Sequence, residues 1–280
     1  MVHLLGRAWS TVPLREGARR VRNVRYGPSP RHGLDLYEPA VPRGIHVLFI
    51  HGGSFRTCSK ETHQYAARAL VQQGLHVYVI DYGLAPRHPY PVAHHDAFTA
   101  YRWLAEGPGR GARLATAGDS AGANMALSVA VTLADERRTE RCPPLRGMPM
   151  PSAVICHSGL LRVRGSARAY RDDPLARARL TRIEQDYLGS EEDPWLAEPL
   201  AAIETTDDWV DRLPPIFIGV GDRDPIVRDS EALWGALPRA APHRIVRYPG
   251  KGHAFMISPL SRTAAKCWSD TGDFLIAPGR

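Results

Sequence analysis

Short apolar runs recur along this chain at Ile45 to Ile50, His76 to Ile80, Arg113 to Ala117, Ala153 to His157, Ile216 to Val220 and Arg244 to Tyr248. Most lack strict alternation with polar residues, the mark of strands covered on both faces of a sheet. Between them lie longer segments compatible with helices: Glu61 to Gln73, stopped by Gly74, then Val92 to Leu104, Ala123 to Glu136 and Asp229 to Leu237. Strands separated by helices predict a mostly parallel sheet with right-handed crossovers and helices on both faces. Two weaker β-like runs, Arg22 to Tyr26 and Leu34 to Glu38, flank the turn residues Gly27-Pro-Ser-Pro30 and predict an antiparallel N-terminal hairpin, which brings the expected strands to eight. The rhythm breaks twice. Leu4, Leu5, Trp9 and Val12 stand at roughly helical spacing among arginines, so residues 1–22 are expected to form a lid segment. Residues 158–214 are rich in Arg, Asp and Glu with scattered Leu, Tyr and Trp, the composition of a cap-like insertion beside a site.

One turn in this pattern carries chemistry. Gly118-Asp-Ser120-Ala-Gly122 joins the fifth strand to a buried helix and has the Gly-x-Ser-x-Gly form of a nucleophile elbow. In such an elbow the serine backbone is strained and strand and helix cross so closely that a side chain at 118 or 122 would collide. The serine hydroxyl is thereby pushed out of the sheet.

Acyl transfer by a serine also needs a base, an acid to orient the base, and donors for the oxyanion; on this architecture the order is Ser, Asp or Glu, His. His253, in the turn Gly250-Lys-Gly-His-Ala-Phe255, is the only one of 12 histidines after the last predicted strand and is expected to be the base. The acid is expected after the strand ending at Val220, where Asp222 and Asp224 both occur. Loop position alone admits either. Asp222 follows the strand directly and suits a bond to its own turn, whereas Asp224 precedes Pro225, which holds it extended and can aim its carboxylate at a histidine from the next strand. The oxyanion donors are expected to be main-chain N–H groups of Ala121, after the nucleophile, and of Gly53 and Ser54, after the third strand. This chemistry requires neither a metal nor an organic cofactor, and the pair His94-His95 lacks the carboxylate-histidine spacing of a metal site.

Composition narrows the setting. With 280 residues and 44% hydrophobic content, the chain can build one α/β domain with insertions across its whole length. The formal charge of +7 comes from arginines scattered along the chain, without the basic patch and interleaved aromatics of a nucleic-acid binder. Cys58, Cys142, Cys156 and Cys267 lie far apart with no Cys-x-x-Cys, which suits free thiols in a reducing compartment. No stretch reaches the length of a transmembrane helix. The first 23 residues lack the apolar core of a secretory signal, although their Arg-rich, acid-poor make-up also fits a transit peptide; a cytoplasmic location is expected.

From about residue 34 to 258 the chain resembles the hormone-sensitive-lipase-like branch of the α/β-hydrolases, which includes many bacterial esterases. The residues that carry the resemblance are His51-Gly-Gly-Ser-Phe55, Asp81-Tyr-Gly-Leu-Ala-Pro-Arg-His-Pro-Tyr-Pro91, the Gly-Asp-Ser-Ala-Gly elbow, Asp224-Pro-Ile226 and Gly252-His-Ala-Phe255. The resemblance implies an α/β-hydrolase fold with a small cap, Ser120, Asp224 and His253 as triad, and Gly53, Ser54 and Ala121 as oxyanion donors. It implies a serine carboxylesterase for small or medium acyl esters; an amide, N-acetyl or formamide hydrolase on a small metabolite uses the same machinery. A ligand receptor is the third possibility, but the plant gibberellin receptors that resemble this family lack the histidine present here. Three departures stand out: Ser54 replaces the usual third glycine, Gly83 and Arg87 replace the usual Arg and Glu, and the N-terminal cap is short.

Overall fold

The computed structural model describes residues 13–170, 173–206 and 208–277. Eight strands form one sheet: β1 (Arg19–Arg25), β2 (Gly33–Glu38), β3 (Ile45–Ile50), β4 (His76–Ile80), β5 (Arg113–Asp119), β6 (Ala153–His157), β7 (Ile216–Gly221) and β8 (Arg244–Tyr248), in the order β1-β2-β4-β3-β5-β6-β7-β8. Pairing is antiparallel for β1 with β2 and β2 with β4, and parallel from β4 through β8. All eight strands expected from the apolar runs are present.

Because successive side chains point to opposite faces, each central strand feeds two cores. On one face Leu48, Ile50, Tyr78 and Ile80 pack with Phe98 and Tyr101 of α2 (Val92–Glu106) and Met125 of α3 (Ala121–Ala134). On the other, Val47, Phe49, Val77 and Val79 pack with Leu70 of α1 (Gln64–Val71) and Trp268 of a long C-terminal helix, Arg262–Ile276. That helix falls beyond the last element expected from sequence. Its signal was present: Ser261 caps it by accepting from the Ala264 N–H, and Ala264, Cys267, Trp268, Thr271 and Leu275 form a buried stripe at helical spacing.

β1 begins at Arg19, three residues before its expected start, since its arginines are held by acids rather than by an apolar face: Arg19 pairs with Glu38, Arg20 with Asp35 and Glu61, and Arg22 with Glu61. The expected lid falls chiefly on residues 1–12, including Leu4, Leu5, Trp9 and Val12, which lie outside the described residues.

The short α4 (Glu136–Glu140) precedes β6, and four α-helices follow it among the described residues: α5 (Pro174–Tyr187), α6 (Pro199–Glu204), α7 (Val227–Ala236) and the C-terminal helix as α8. Asp173 caps α5 by accepting from the N–H groups of Leu175 and Ala176, and Pro174 occupies its first position. The strap leading into this region is gripped by two carboxylates. Asp229 accepts from the Leu161 N–H at 2.8 Å, and Glu198 accepts from those of Val163 at 3.0 Å and Arg164 at 2.7 Å. Burial pushes Asp229 up to about 6 and Glu198 up to about 7.

The sign of this shift gives a test. A carboxyl whose folded pKa is raised contributes stability that is complete below its unfolded pKa, near 4.5 for Glu198, and is lost as pH rises through about 7. Gln at 198 keeps an acceptor without the charge. Glu198→Gln is therefore expected to leave the Tm unchanged at pH 4.5 and to raise it at pH 8 by roughly 2–4 °C, checked by thermal melts at both pH values; an equal difference at both would contradict the assignment.

Candidate active site

Ser120 sits between β5 and α3 at φ 51° and ψ −118°, a conformation that costs an L-residue roughly 1–3 kcal/mol. Its surroundings leave no other choice. A Cβ at Gly122 would lie 2.0 Å from the Ile50 carbonyl oxygen, and one at Gly118 would lie 2.3 Å from the Gly122 carbonyl carbon, so the strand-helix crossing closes only over bare backbone. The strained serine is held on both sides, since its N–H donates to the His157 carbonyl at 2.9 Å and its carbonyl accepts from the Leu160 N–H at 3.2 Å.

The structure brings His253 and Asp224 to this hydroxyl. His253 Nε2 is 3.1 Å from Ser120 Oγ, and its Nδ1 is 3.0 and 3.1 Å from the two carboxylate oxygens of Asp224. Asp224 also accepts from the Ile226 N–H at 2.9 Å, one residue past Pro225. Burial works to raise its pKa, but the hydrogen bond from His253 and the charge of that ring hold it below the usual carboxylate value. Asp222 stands apart from the histidine ring. Rather than serving its own turn, it accepts from the Gly250 N–H at 2.7 Å and so ties down the start of the turn that carries His253. The far side of that turn is braced by α8, whose Trp268 Nε1 donates to the Met256 carbonyl at 2.8 Å.

Gly53 and Ser54 lie in a left-handed run, with φ of 118° at Gly53 and 58° at both Ser54 and Phe55. A Cβ at Gly53 would meet the Thr57 carbonyl oxygen at 2.2 Å. Each peptide leading into this run is pinned. The Tyr82 hydroxyl donates to the His51 carbonyl at 2.8 Å, His51 Nδ1–H donates to the Gly52 carbonyl at 2.7 Å, and Asp119 accepts from the Gly52 N–H at 3.0 Å. His51 stacks on Tyr82, and burial pushes its pKa down to about 3, which keeps it neutral. Asp119 also lies 3.1 Å from His63 Nε2, in an off-axis contact. Beyond the run, Phe55 stacks face to face on Tyr187 at 3.9 Å and Arg56 pairs with Asp186 at 2.8 Å, so the end of α5 clamps the turn. Among the described residues, the N–H groups of Gly53, Ser54 and Ala121 meet no protein acceptor, and such donors are normally taken up by water or ligand.

Ser54, Ser120 and His253 line one narrow cleft, whose walls include Leu160 and Ile226 on one side and Leu180 and Ile183 of α5 on the other. His94 is absorbed into structure: its ring meets the Tyr187 hydroxyl at 2.7 Å and the Asn124 side-chain oxygen at 2.9 Å, and burial lowers its pKa to about 3. In the departing loop, the Gly83 N–H is held by Asp96, which also pairs with Arg31 and His32; the loop is anchored from outside in place of an internal ion pair. Asp119, Tyr82 and Tyr187 were not singled out from sequence. Asp119 reads there only as the spacer of Gly-x-Ser, and its proximity to Gly52 depends on β3 and β5 being neighbours.

Residues 47–257 match the model of a family described as having the α/β hydrolase fold. An acetyl-hydrolase of Streptomyces hygroscopicus is 33% identical over 224 residues, which cover 78% of this chain and 70% of that protein. The carboxylesterase/phospholipase LipF of Mycobacterium tuberculosis is 30% identical over 82% of this chain but only 61% of its own length, so this chain spans less than two thirds of that relative. Among solved structures, an esterase from the bacterial hormone-sensitive lipase family superposes with a TM-score of 0.77 at 25% identity, covering 98% of this chain and 89% of its own. A family match running from β3 past His253, together with a relative 33% identical over 78% of this chain, establishes that this chain belongs to the α/β hydrolase fold family.

Proposed function

We propose that this protein hydrolyses carboxylic esters of small to medium acyl groups, with Ser120 as nucleophile, His253 as base, Asp224 as the acid that orients it, and the N–H groups of Gly53, Ser54 and Ala121 as oxyanion donors. The observation that carries the reading is the unbroken line from Ser120 Oγ through His253 to Asp224, at 3.1 Å and then 3.0 Å, opening on a cleft with Ser54 on its wall. Relatives named acetyl-hydrolase, carboxylesterase/phospholipase and acetyl esterase support the bond type.

In this mechanism Ser120 Oγ attacks the carbonyl carbon as His253 Nε2 takes its proton, and Asp224 stabilises the imidazolium through Nδ1–H. The charge that gathers on the carbonyl oxygen is met by donors already fixed in place, so little reorganisation is required when it forms. The tetrahedral intermediate collapses with the His253 proton passing to the leaving alcohol. Water then repeats the sequence on the acyl-serine, returning the acid and free Ser120. The insertion over residues 158–214 acts as a small cap through the α5 wall of the cleft. A second reading is hydrolysis of an amide-linked acetyl group: a relative is named acetyl-hydrolase, and the same steps cleave both bonds. The cysteines are free and three of the four are buried, which suits the cytoplasm; no helix among the described residues is long and apolar enough to cross a membrane.

The direct test is labelling by a fluorophosphonate together with turnover of 4-nitrophenyl acetate. Both are expected to be lost in Ser120→Ala, and labelling of another residue would overturn the reading. The two aspartates separate further. Asp224→Asn is expected to reduce turnover by a factor on the order of 10³–10⁴ without unfolding the protein. Asp222→Ala removes only the tie to Gly250 and is expected to lower the Tm by roughly 2–4 °C, about the worth of one hydrogen bond. The opposite pattern would show that the other carboxylate orients the base.

Chain length supplies a second test. With Ser54 on the wall and the cleft closed by Leu180 and Ile183, kcat/KM for 4-nitrophenyl esters is expected to be highest between acetate and butyrate. It is expected to fall at least about tenfold for acyl chains of about ten carbons, whose added apolar surface finds no room to be buried. Rates that climb steadily to palmitate would refute the size limit.

A further inference from the structure

Arg179 is out of keeping with the rest of the cleft. The walls contributed by Leu160, Leu180, Ile183 and Ile226 are apolar, and apart from the reacting residues the charged residue lining the cleft is Arg179, an exposed side chain of α5. It stands one turn from Ala176 and Ile183 and next to Leu180 on α5, at the edge of the stripe that lines the same cleft as Ser120 and His253.

Nothing described neutralises it. Three other arginines in this region are engaged: Arg162 pairs with Glu204, Arg182 with Asp186, and Arg164 donates to the Glu191 carbonyl. The carboxylates of α5 and its cap are committed too. Asp173 caps the helix, Glu184 accepts from the Gly165 N–H, and Asp186 holds Arg182 and Arg56. Residues three and four away from Arg179 on the helix are Leu175, Ala176, Arg182 and Ile183, so no acid can reach it along its own helix. Among the described residues, Arg179 has no ion-pair partner. Arg168 and Arg177 line a second hollow together with Ala167 and Thr181, on the neighbouring face of α5.

We propose that Arg179 is a specificity-determining residue that selects esters bearing a carboxylate on the acyl or alcohol part, beyond the reacting carbonyl. The inference rests on the ester-hydrolase reading and names its substrate class. An apolar slot with one unmatched cation at its edge binds a short carbon skeleton ending in an anion better than the neutral skeleton alone. The carboxylate pairs with the guanidinium, ideally through two N–H donors, while the scissile carbonyl reaches the oxyanion turn.

Two matched pairs of substrates test this and separate the two sides of the bond: 4-nitrophenyl hydrogen succinate against 4-nitrophenyl butyrate for the acyl side, and 4-acetoxybenzoate against phenyl acetate for the alcohol side. The quantity read is the anionic-to-neutral ratio of kcat/KM, which cancels any loss of folded protein. In one of the two pairs this ratio is expected to fall about fivefold in Arg179→Gln, the scale of one partly exposed ion pair. It is expected to be largely kept in Arg179→Lys and to fall further in Arg179→Glu. Raising NaCl to about 0.5 M should shrink the wild-type ratio toward that of Arg179→Gln. Ratios unchanged by all three substitutions, with neutral esters still turned over by the unsubstituted protein, overturn the proposal and leave the hydrolase reading intact; failure of the unsubstituted protein to turn over any of the four esters overturns both.

Discussion

The site depends on one close approach. Gly122, in the first turn of α3, passes so near the Ile50 carbonyl at the end of β3 that a single added carbon would sit 2.0 Å from it. That contact fixes how α3 crosses the sheet, and the crossing forces Ser120 into its left-handed backbone. The strain is small beside the apolar burial of the flanking elements: β5 and α3 are buried almost throughout, and each large side chain removed from water is worth roughly 1.5–3 kcal/mol. The core can therefore hold one unfavourable residue in place.

The same crossing sets the glycine turn. Asp119, the residue before Ser120, reaches the Gly52 N–H because β3 and β5 are neighbours in the sheet and end at the same level. One peptide thus links the serine elbow to the glycine turn, and Tyr82 and His51 fix the peptides around it. On the opposite side, His253 is placed from two directions: Asp222 holds the start of its turn and α8 braces the end. α5 then joins the wall of the cleft to the glycine turn through Phe55 and Tyr187. The Arg56–Asp186 pair adds a second tie between α5 and that turn.

Much of this was legible along the chain. The central strands β3 to β7 could be read because they are buried on both faces, so that each apolar run stands clear of the polar segments around it. The elbow, the acid loop and the histidine turn could be read because their glycines and proline answer local backbone demands. α8 went unread although its stripe of Ala264, Cys267, Trp268 and Leu275 was visible, since it follows the last strand and no crossover requires it. Asp119 and Asp222 had a different difficulty. Their partners, Gly52 and Gly250, lie 67 and 28 residues away, and only the sheet order brings them together. Arg179 likewise reads as one arginine among many until the cleft shows which face of α5 it occupies.

The central claim is that Ser120 and the donors for its oxyanion are already in place before substrate arrives. The measurement that tests it most directly is a crystal structure of the protein inactivated by a small alkylphosphonate. The account predicts phosphorus bonded to Ser120 Oγ and a phosphoryl oxygen within about 2.7–3.1 Å of the Ala121 N–H and of the Gly53 or Ser54 N–H, with the backbone of residues 51–56 unmoved. A phosphoryl oxygen turned away from those groups, or a glycine turn that must refold to meet it, would contradict the account.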